Sequence, residues 1–355
     1  PSTLDARRST PPPLPFRLVP RWAPDPWRAG VSLLTRMVYD EQPLALLGSV
    51  DSASTHLAEQ VVAKAQLPLL SPCTTDKSLT LAGVAWMFAF APSDPAIARP
   101  LVDAVLAEGS QTATPAVAAT QSAIGNLKSK ILLLSGTDHE SRLTTREVMR
   151  EFSRRNQLPD TRFEIAPALP VPPEGLAAID RSPPTPIVLV ATPEDSARWL
   201  NTLRERHAAH PSTGAAPRFF GSHTMGRTRF LELAGASAEG VHFPLLWDSS
   251  TASPAASSFV ARFRAARGHA PDYAAVYTYD ATRLLTAAIR QVGPNRGRIR
   301  EALIALSPWS GLAGPVHFDG TGQNTATTIP LGTIRNGVVL PLRPATVPSQ
   351  PPSSP

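Results

Sequence analysis

Short apolar runs alternate with amphipathic stretches along most of the chain. The clearest case is 43–75, PLALLGSVDSASTHLAEQVVAKAQLPLLSPCTT. Residues 44–47 are apolar and end in Gly48 and a small polar loop, 49–55. Leu57, Val61, Val62 and Ala65 then recur at spacings of three and four, which predicts a helix. A second apolar run, 67–70, ends in another hydroxyl-rich loop, 71–75. Strand, loop, helix, strand, loop places both loops at the carboxyl edge of a parallel sheet. Backbone N–H groups and helix N-termini converge on ligands at that edge. The two loops suit a small polar, anionic group.

The same alternation runs on. Residues 16–22 read as a strand, and Asp25-Pro26 as the cap and first position of a helix. Strands are expected at 86–90, 130–135, 163–166, 187–191, 219–221 and 241–243. Helices are expected from Asp94-Pro95 to about 108, over 141–156, from Thr192-Pro193 to 206, over 258–267, from Tyr273 past Ile289, and over 298–306. A proline-rich loop is expected at 167–185, and 329–340 reads as a strand pair turning at Asn336-Gly337. Strands alternating with helices at this spacing predict an α/β protein with parallel sheets.

Composition narrows this picture. A chain of 355 residues, 42% hydrophobic, is long enough for two cores. Prolines number 39 and crowd the loops and the two ends, so 1–15 and 342–355 read as disordered segments. The net charge of +6 is scattered along helix faces, with no aromatic-interleaved basic motif, so nucleic acid is not an expected partner. No apolar run approaches the roughly 18 residues of a membrane span. The single cysteine, Cys73, excludes an intramolecular disulfide.

The paired pattern G-x-x-x-S-x-S-T (48–55) and P-x-x-S-P-x-x-T (68–75) resembles the type I periplasmic binding proteins, in particular the branched-chain amino acid and amide receptors of ABC transporters. F-x-P-S-D ending at Asp94, Y-D-A-x-x-L-L-x-x-A-I from Tyr279 to Ile289, and L-A-G-P-V-H-F-D-G-x-G from Leu312 to Gly322 extend the resemblance over nearly the whole chain. It implies two α/β lobes, each a parallel sheet flanked by helices, joined by crossing strands. The lobes would comprise 16–115 plus 250–325, and 129–247 plus 326–341. The family's first strand and helix would lie upstream of 16–22. The implied activity is capture of a small polar amino-acid-, amide- or carboxylate-like ligand by hinge closure. The implied partner is a membrane permease. The implied location is periplasmic or extracytoplasmic, with a lipid anchor in a segment outside this chain. A sensor domain of the same fold is the alternative.

Carried over by position, the first loop supplies Val50 and Ser52 to the ligand, and the second supplies Cys73 and Thr75. Ser52 and Thr75 keep the hydroxyls that hold a carboxylate. In the second lobe the family's two aromatic positions fall on Glu140 and Thr192, and its ammonium-binding acid falls near His223. Imidazole is a poor ammonium acceptor, so free α-amino acids are not the expected ligands. The remaining chemistry is read as structural. Cys73 has no base beside it and reads as packing or ligand wall. His207 and His210 have no third ligand, so no metal is expected. Asp138-His139-Glu140 reads as a surface loop. With no P-loop, G-x-S-x-G or H-E-x-x-H, neither enzyme activity nor a cofactor is expected.

Overall fold

The computed structural model describes residues 16–21, 29–49, 51–111, 131–181, 186–209, 216–251, 253–325 and 328–342. After helix α1 (Val31–Asp40) comes β1 (Leu46–Leu47), which pairs in parallel with β2 (Leu69–Ser71), and β2 with β3 (Met87–Ala89). Helix α2 (Ser52–Ala65) joins β1 to β2, and the short α3 (Ser78–Leu81) precedes β3. Asp51 caps α2 by accepting the Ser54 N–H at 2.7 Å, and Asx caps of this kind fix where such a helix starts.

Helix α4 (Asp94–Gln111) leads to the larger sheet. Its strands are β4 (Leu132–Gly136), β5 (Thr161–Ile165), β6 (Pro186–Val190), β7 (Arg218–Gly221), β8 (His242–Pro244), β11 (Leu331–Arg335) and β12 (Val338–Pro341). Their order is β12-β11-β8-β7-β6-β4-β5, parallel from β5 to β8 and antiparallel at β8–β11 and β11–β12. The helices among them are α5 (His139–Arg154), α6 (Pro173–Arg181), α7 (Pro193–Ala209) and α8 (Thr228–Ala234). Helices α9 (Pro254–Arg267), α10 (Tyr273–Val292) and α11 (Arg296–Ala305) follow β8, and a hairpin of β9 (Trp309–Gly311) and β10 (Gly314–Val316) comes before β11.

Two lobes result. In the first, Leu70, Phe88 and Phe90 bury against Val276, Tyr277 and Leu284 of α10 and Val316 and Phe318 of the hairpin strip. In the second, Leu132, Leu134, Ile187, Leu189 and Phe219 bury against Trp199 of α7 and Phe230 of α8. The opposite face of the second sheet packs Leu133, Val188 and Phe220 against Val148 and Phe152 of α5.

Several expectations are corrected. Residues 16–21 form no strand, and Trp22 and Asp25-Pro26 lie outside the described residues. Within the expected loop 167–185, 173–181 is helical: after Pro173, good helix formers put Leu176 toward the Phe163 and Val171 side of the sheet. Residues 223–238, for which no element is expected, hold two 3₁₀ turns and α8. The apolar face of α4, Ala98, Leu101, Val102 and Val105, packs on the second sheet beside α5.

Candidate functional site

The loop after β1 and the loop after β2 meet as their spacing requires. Ser52 and Thr75 are 0% and 1% exposed; the Ser52 hydroxyl joins those of Thr55 and Thr74 in a buried cluster, and the Thr75 hydroxyl lies against Asp94 and Glu140. The anionic group that this cluster holds belongs to the chain itself. Ser52 donates its backbone N–H to Oε2 of Glu140 and its hydroxyl to Oε1, each at 2.9 Å, and the Thr75 hydroxyl lies 3.4 Å from Oε1. Glu140 sits in the first turn of α5, whose N-cap Asp138 accepts the Ser141 N–H at 3.0 Å. The helix start therefore points its second residue out of the second lobe and into the first. This corrects the reading of 138–140 as a surface loop. Desolvation raises the Glu140 pKa, against the lowering effect of the Ser52 bonds.

A second carboxylate stands behind the first. Asp94 Oδ1 accepts the Thr75 hydroxyl at 3.0 Å and the Thr144 hydroxyl at 2.9 Å, and it is 2% exposed. Burial, with Glu140 nearby, raises its pKa to about 7. Sequence reasoning treats Asp94 only as a helix start. Its place at the end of F-x-P-S-D, one strand over from SPCTT, is the signal that could have flagged it.

The other predicted residues divide. Val50 lies outside the described residues. Cys73 is buried in the first-lobe core with its sulfur 4.0 Å from the Ala274 carbonyl oxygen, and burial pushes its pKa up to about 12. It is a neutral thiol with no nucleophilic character. His223 is 3% exposed and packs its ring 5.7 Å from that of Tyr273, and its Nδ1 has no hydrogen-bond partner. Burial, with Arg227 close by, pushes its pKa down to about 3, so it is neutral. Thr192 does not join the cluster: its hydroxyl accepts the Asp195 N–H at 3.2 Å and caps α7.

Arg227, Asp272 and Tyr273, which sequence reasoning missed, form a second contact across the lobes. Asp272 caps α10 through the Ala275 N–H and accepts Arg227 Nε at 2.8 Å, while the Arg227 guanidinium lies 5.6 Å from the Tyr273 ring centroid. With Ser52, Thr75, Cys73 and His223 all buried, the lobes are shut on one another.

Residues 26–337 match the family model described as "Periplasmic binding protein". The chain belongs to the periplasmic binding protein family. As a member it is a two-lobed binding protein. Solved structures agree on the fold. The branched-chain amino acid binding protein LivJ from Streptococcus pneumoniae, in complex with isoleucine, superposes with a TM-score of 0.72 at 19% identity, covering 88% of this chain and 83% of that one. A solute-binding protein from R. palustris in complex with benzoate gives 0.72 at 19% identity, covering 88% and 81%. The leucine-binding protein LivK from Thermotoga maritima gives 0.69 at 18%, covering 88% and 83%. No curated protein sequence matches the chain significantly. Among the described residues of this periplasmic binding protein, no helix is long and apolar enough to cross a membrane.

Proposed function

We propose that this binding protein captures a small carboxylate- or amide-like solute between its lobes by hinge closure and hands it to the membrane permease of an ABC importer, on the outer side of that membrane. One observation carries the ligand class. Two donors of the first lobe, the Ser52 N–H and the Ser52 hydroxyl, already converge on a carboxylate, that of Glu140, with the Thr75 hydroxyl 3.4 Å away. The solute's anionic or carbonyl group takes these donors by exchange, and Glu140 swings away as the hinge opens. Hydrogen bonds to a charged group contribute about 1.5–3 kcal/mol each, so a carboxylate from solution can compete with one from the chain.

The far wall disfavours an ammonium group. It carries neutral His223 and cationic Arg227, and Cys73 is a neutral thiol. A leucine-like solute would bury its ammonium beside Arg227, at a cost of several kcal/mol. The unpartnered Nδ1 of His223 suits a hydroxyl or amide hydrogen instead. The relatives with bound ligands span both classes, isoleucine in one and benzoate in another. The site chemistry here sides with acids that lack an amine.

The lobe boundaries we propose are 16–93 plus 250–325 and 94–247 plus 326–341. They place the first crossing ahead of α4, because α4 packs on the second sheet.

Calorimetry with benzoate, small aliphatic acids, amides, leucine and isoleucine tests the ligand class. Saturable binding of an acid or amide, with leucine and isoleucine at least tenfold weaker, is the expected result. Submicromolar leucine binding would overturn it.

A further inference from the structure

We propose that His56, Asp76 and His139 form a site for a divalent first-row cation of the zinc type, closed only when the two lobes meet. His56 belongs to α2 and Asp76 to the loop before α3, both in the first lobe. His139 opens α5 in the second lobe, one residue before Glu140. One ligand atom from each of the three lies within 4.8 Å of the others.

The first-lobe half is already arranged for metal. His56 Nε2 lies 2.7 Å from Asp76 Oδ2, and His56 Nδ1 lies 3.3 Å from Glu59 Oε2. Glu59 on Nδ1 fixes the tautomer in the manner of the outer-shell partner of a metal-binding histidine, and the ion would replace the hydrogen bond between Nε2 and Asp76. Asp76 is itself held, by the Ser78 N–H on Oδ1 at 2.9 Å and the Ser78 hydroxyl on Oδ2 at 2.6 Å, and it is 2% exposed. The second-lobe half is a free-standing ring. His139 is exposed, with its centroid 5.8 Å from that of His56 and the two planes at 84°.

Bonds of about 2.0–2.2 Å from zinc to nitrogen and oxygen place tetrahedral ligand atoms about 3.4 Å apart. A small parting of His56 from Asp76 and a rotation of His139 reach that spacing. Two imidazoles and one carboxylate are a zinc-type donor set, which leaves a fourth position for water, and the exposed His139 side gives the ion its entry path. The ion would hold α5 against α2, so its loss would accompany opening.

Zinc chloride titrated into the full chain at pH 7.5, followed by calorimetry and by thermal unfolding, tests this. The expected result is one saturable site in the micromolar range and a raised Tm, with calcium and magnesium inert. His139→Ala, an exposed substitution that leaves the metal-free Tm unchanged, is expected to weaken zinc binding at least tenfold. His56→Ala should do the same, and Glu59→Gln, at a positioning residue, roughly tenfold. His269→Ala, on the distant surface after α9, should bind as the parent does. No saturable binding below ~100 µM zinc would overturn the site. So would zinc binding that His139→Ala leaves intact, because the ion would not then bridge the lobes. Neither outcome depends on which solute the cleft takes.

Discussion

Oε1 and Oε2 of Glu140 accept the hydroxyl and the backbone N–H of Ser52, both at 2.9 Å, across 88 residues of chain and from one lobe to the other. A two-pronged, charge-assisted contact of this kind is the strong form of hydrogen bonding. It makes Glu140 the residue whose removal should most change the balance between shut and open lobes. Glu140→Ala is expected to open the unliganded protein, seen as an increased radius of gyration in X-ray scattering. It should also tighten binding of an acidic solute about tenfold, because the competitor on the donors is gone. Unchanged scattering together with unchanged affinity would show that the contact does not govern closure.

Ser52→Ala keeps the backbone donor and removes the hydroxyl. An acidic or amide solute should then bind roughly tenfold more weakly, about 1.4 kcal/mol. Thr75→Ala should have a comparable effect and should also strip Asp94 of one of its two hydroxyl donors. Equal calorimetric affinities for the two variants and the parent would remove both residues from the site.

Asp94 sets a pH dependence. Its pKa is about 7 in the folded chain against 3.8 for an ordinary aspartate. Between those values the folded chain holds a proton that the unfolded chain has released. The stabilising contribution is therefore full below 3.8 and is lost as pH rises toward 7, at about 1.4 kcal/mol per pH unit for one proton. Glu140 and Asp76 face this group and push the same way, while Thr75 and Thr144 oppose them. Asp94→Asn keeps an acceptor for the two hydroxyls and cannot ionise. Its Tm relative to the parent should be higher at pH 8 than at pH 5. The opposite trend in paired melting curves would mean that Asp94 is charged in the native protein.

That the loops after β1 and β2 meet was legible before any fold was known, because loops after adjacent parallel strands carry a local signature. The loops 49–55 and 71–75 and their hydroxyls follow from residues within one turn of each other. What was not legible depends on closure. Whether Glu140 meets water or Ser52 is decided by how one lobe sits on the other, and no local pattern encodes that. His56 and Asp76 went unnoticed because they are 20 residues apart and meet only through packing of α2 on the loop before α3 within the first lobe. Helix α6 was missed because prolines flank it, and Pro173 begins a helix as readily as it ends one.

Gly322 ties the first lobe's sheet to the strip after β10. Its φ is +84°, and a Cβ there would come within 2.1 Å of the Met87 carbonyl oxygen. Its own carbonyl accepts the Ala89 N–H at 2.9 Å, so the backbone on both sides is committed. Gly322→Ala is expected to lower stability by roughly 2–4 kcal/mol, from left-handed strain and displaced backbone together. A urea midpoint within error of the parent would contradict this.

The last two strands have a bearing on how the chain is made. β11 pairs with β8 through Thr333–His242, Gly332–Phe243 and Leu331–Pro244, and β12 pairs with β11. A growing chain thus finishes α9, α10 and α11 of one lobe while the sheet of the other still has an unpaired border at β8. Such a border is a template for pairing between molecules. A product halted before 331 would hold every residue of the Ser52–Glu140 contact and still present sticky β8. It should pellet with ribosome-released aggregates rather than persist as a soluble, merely inactive receptor.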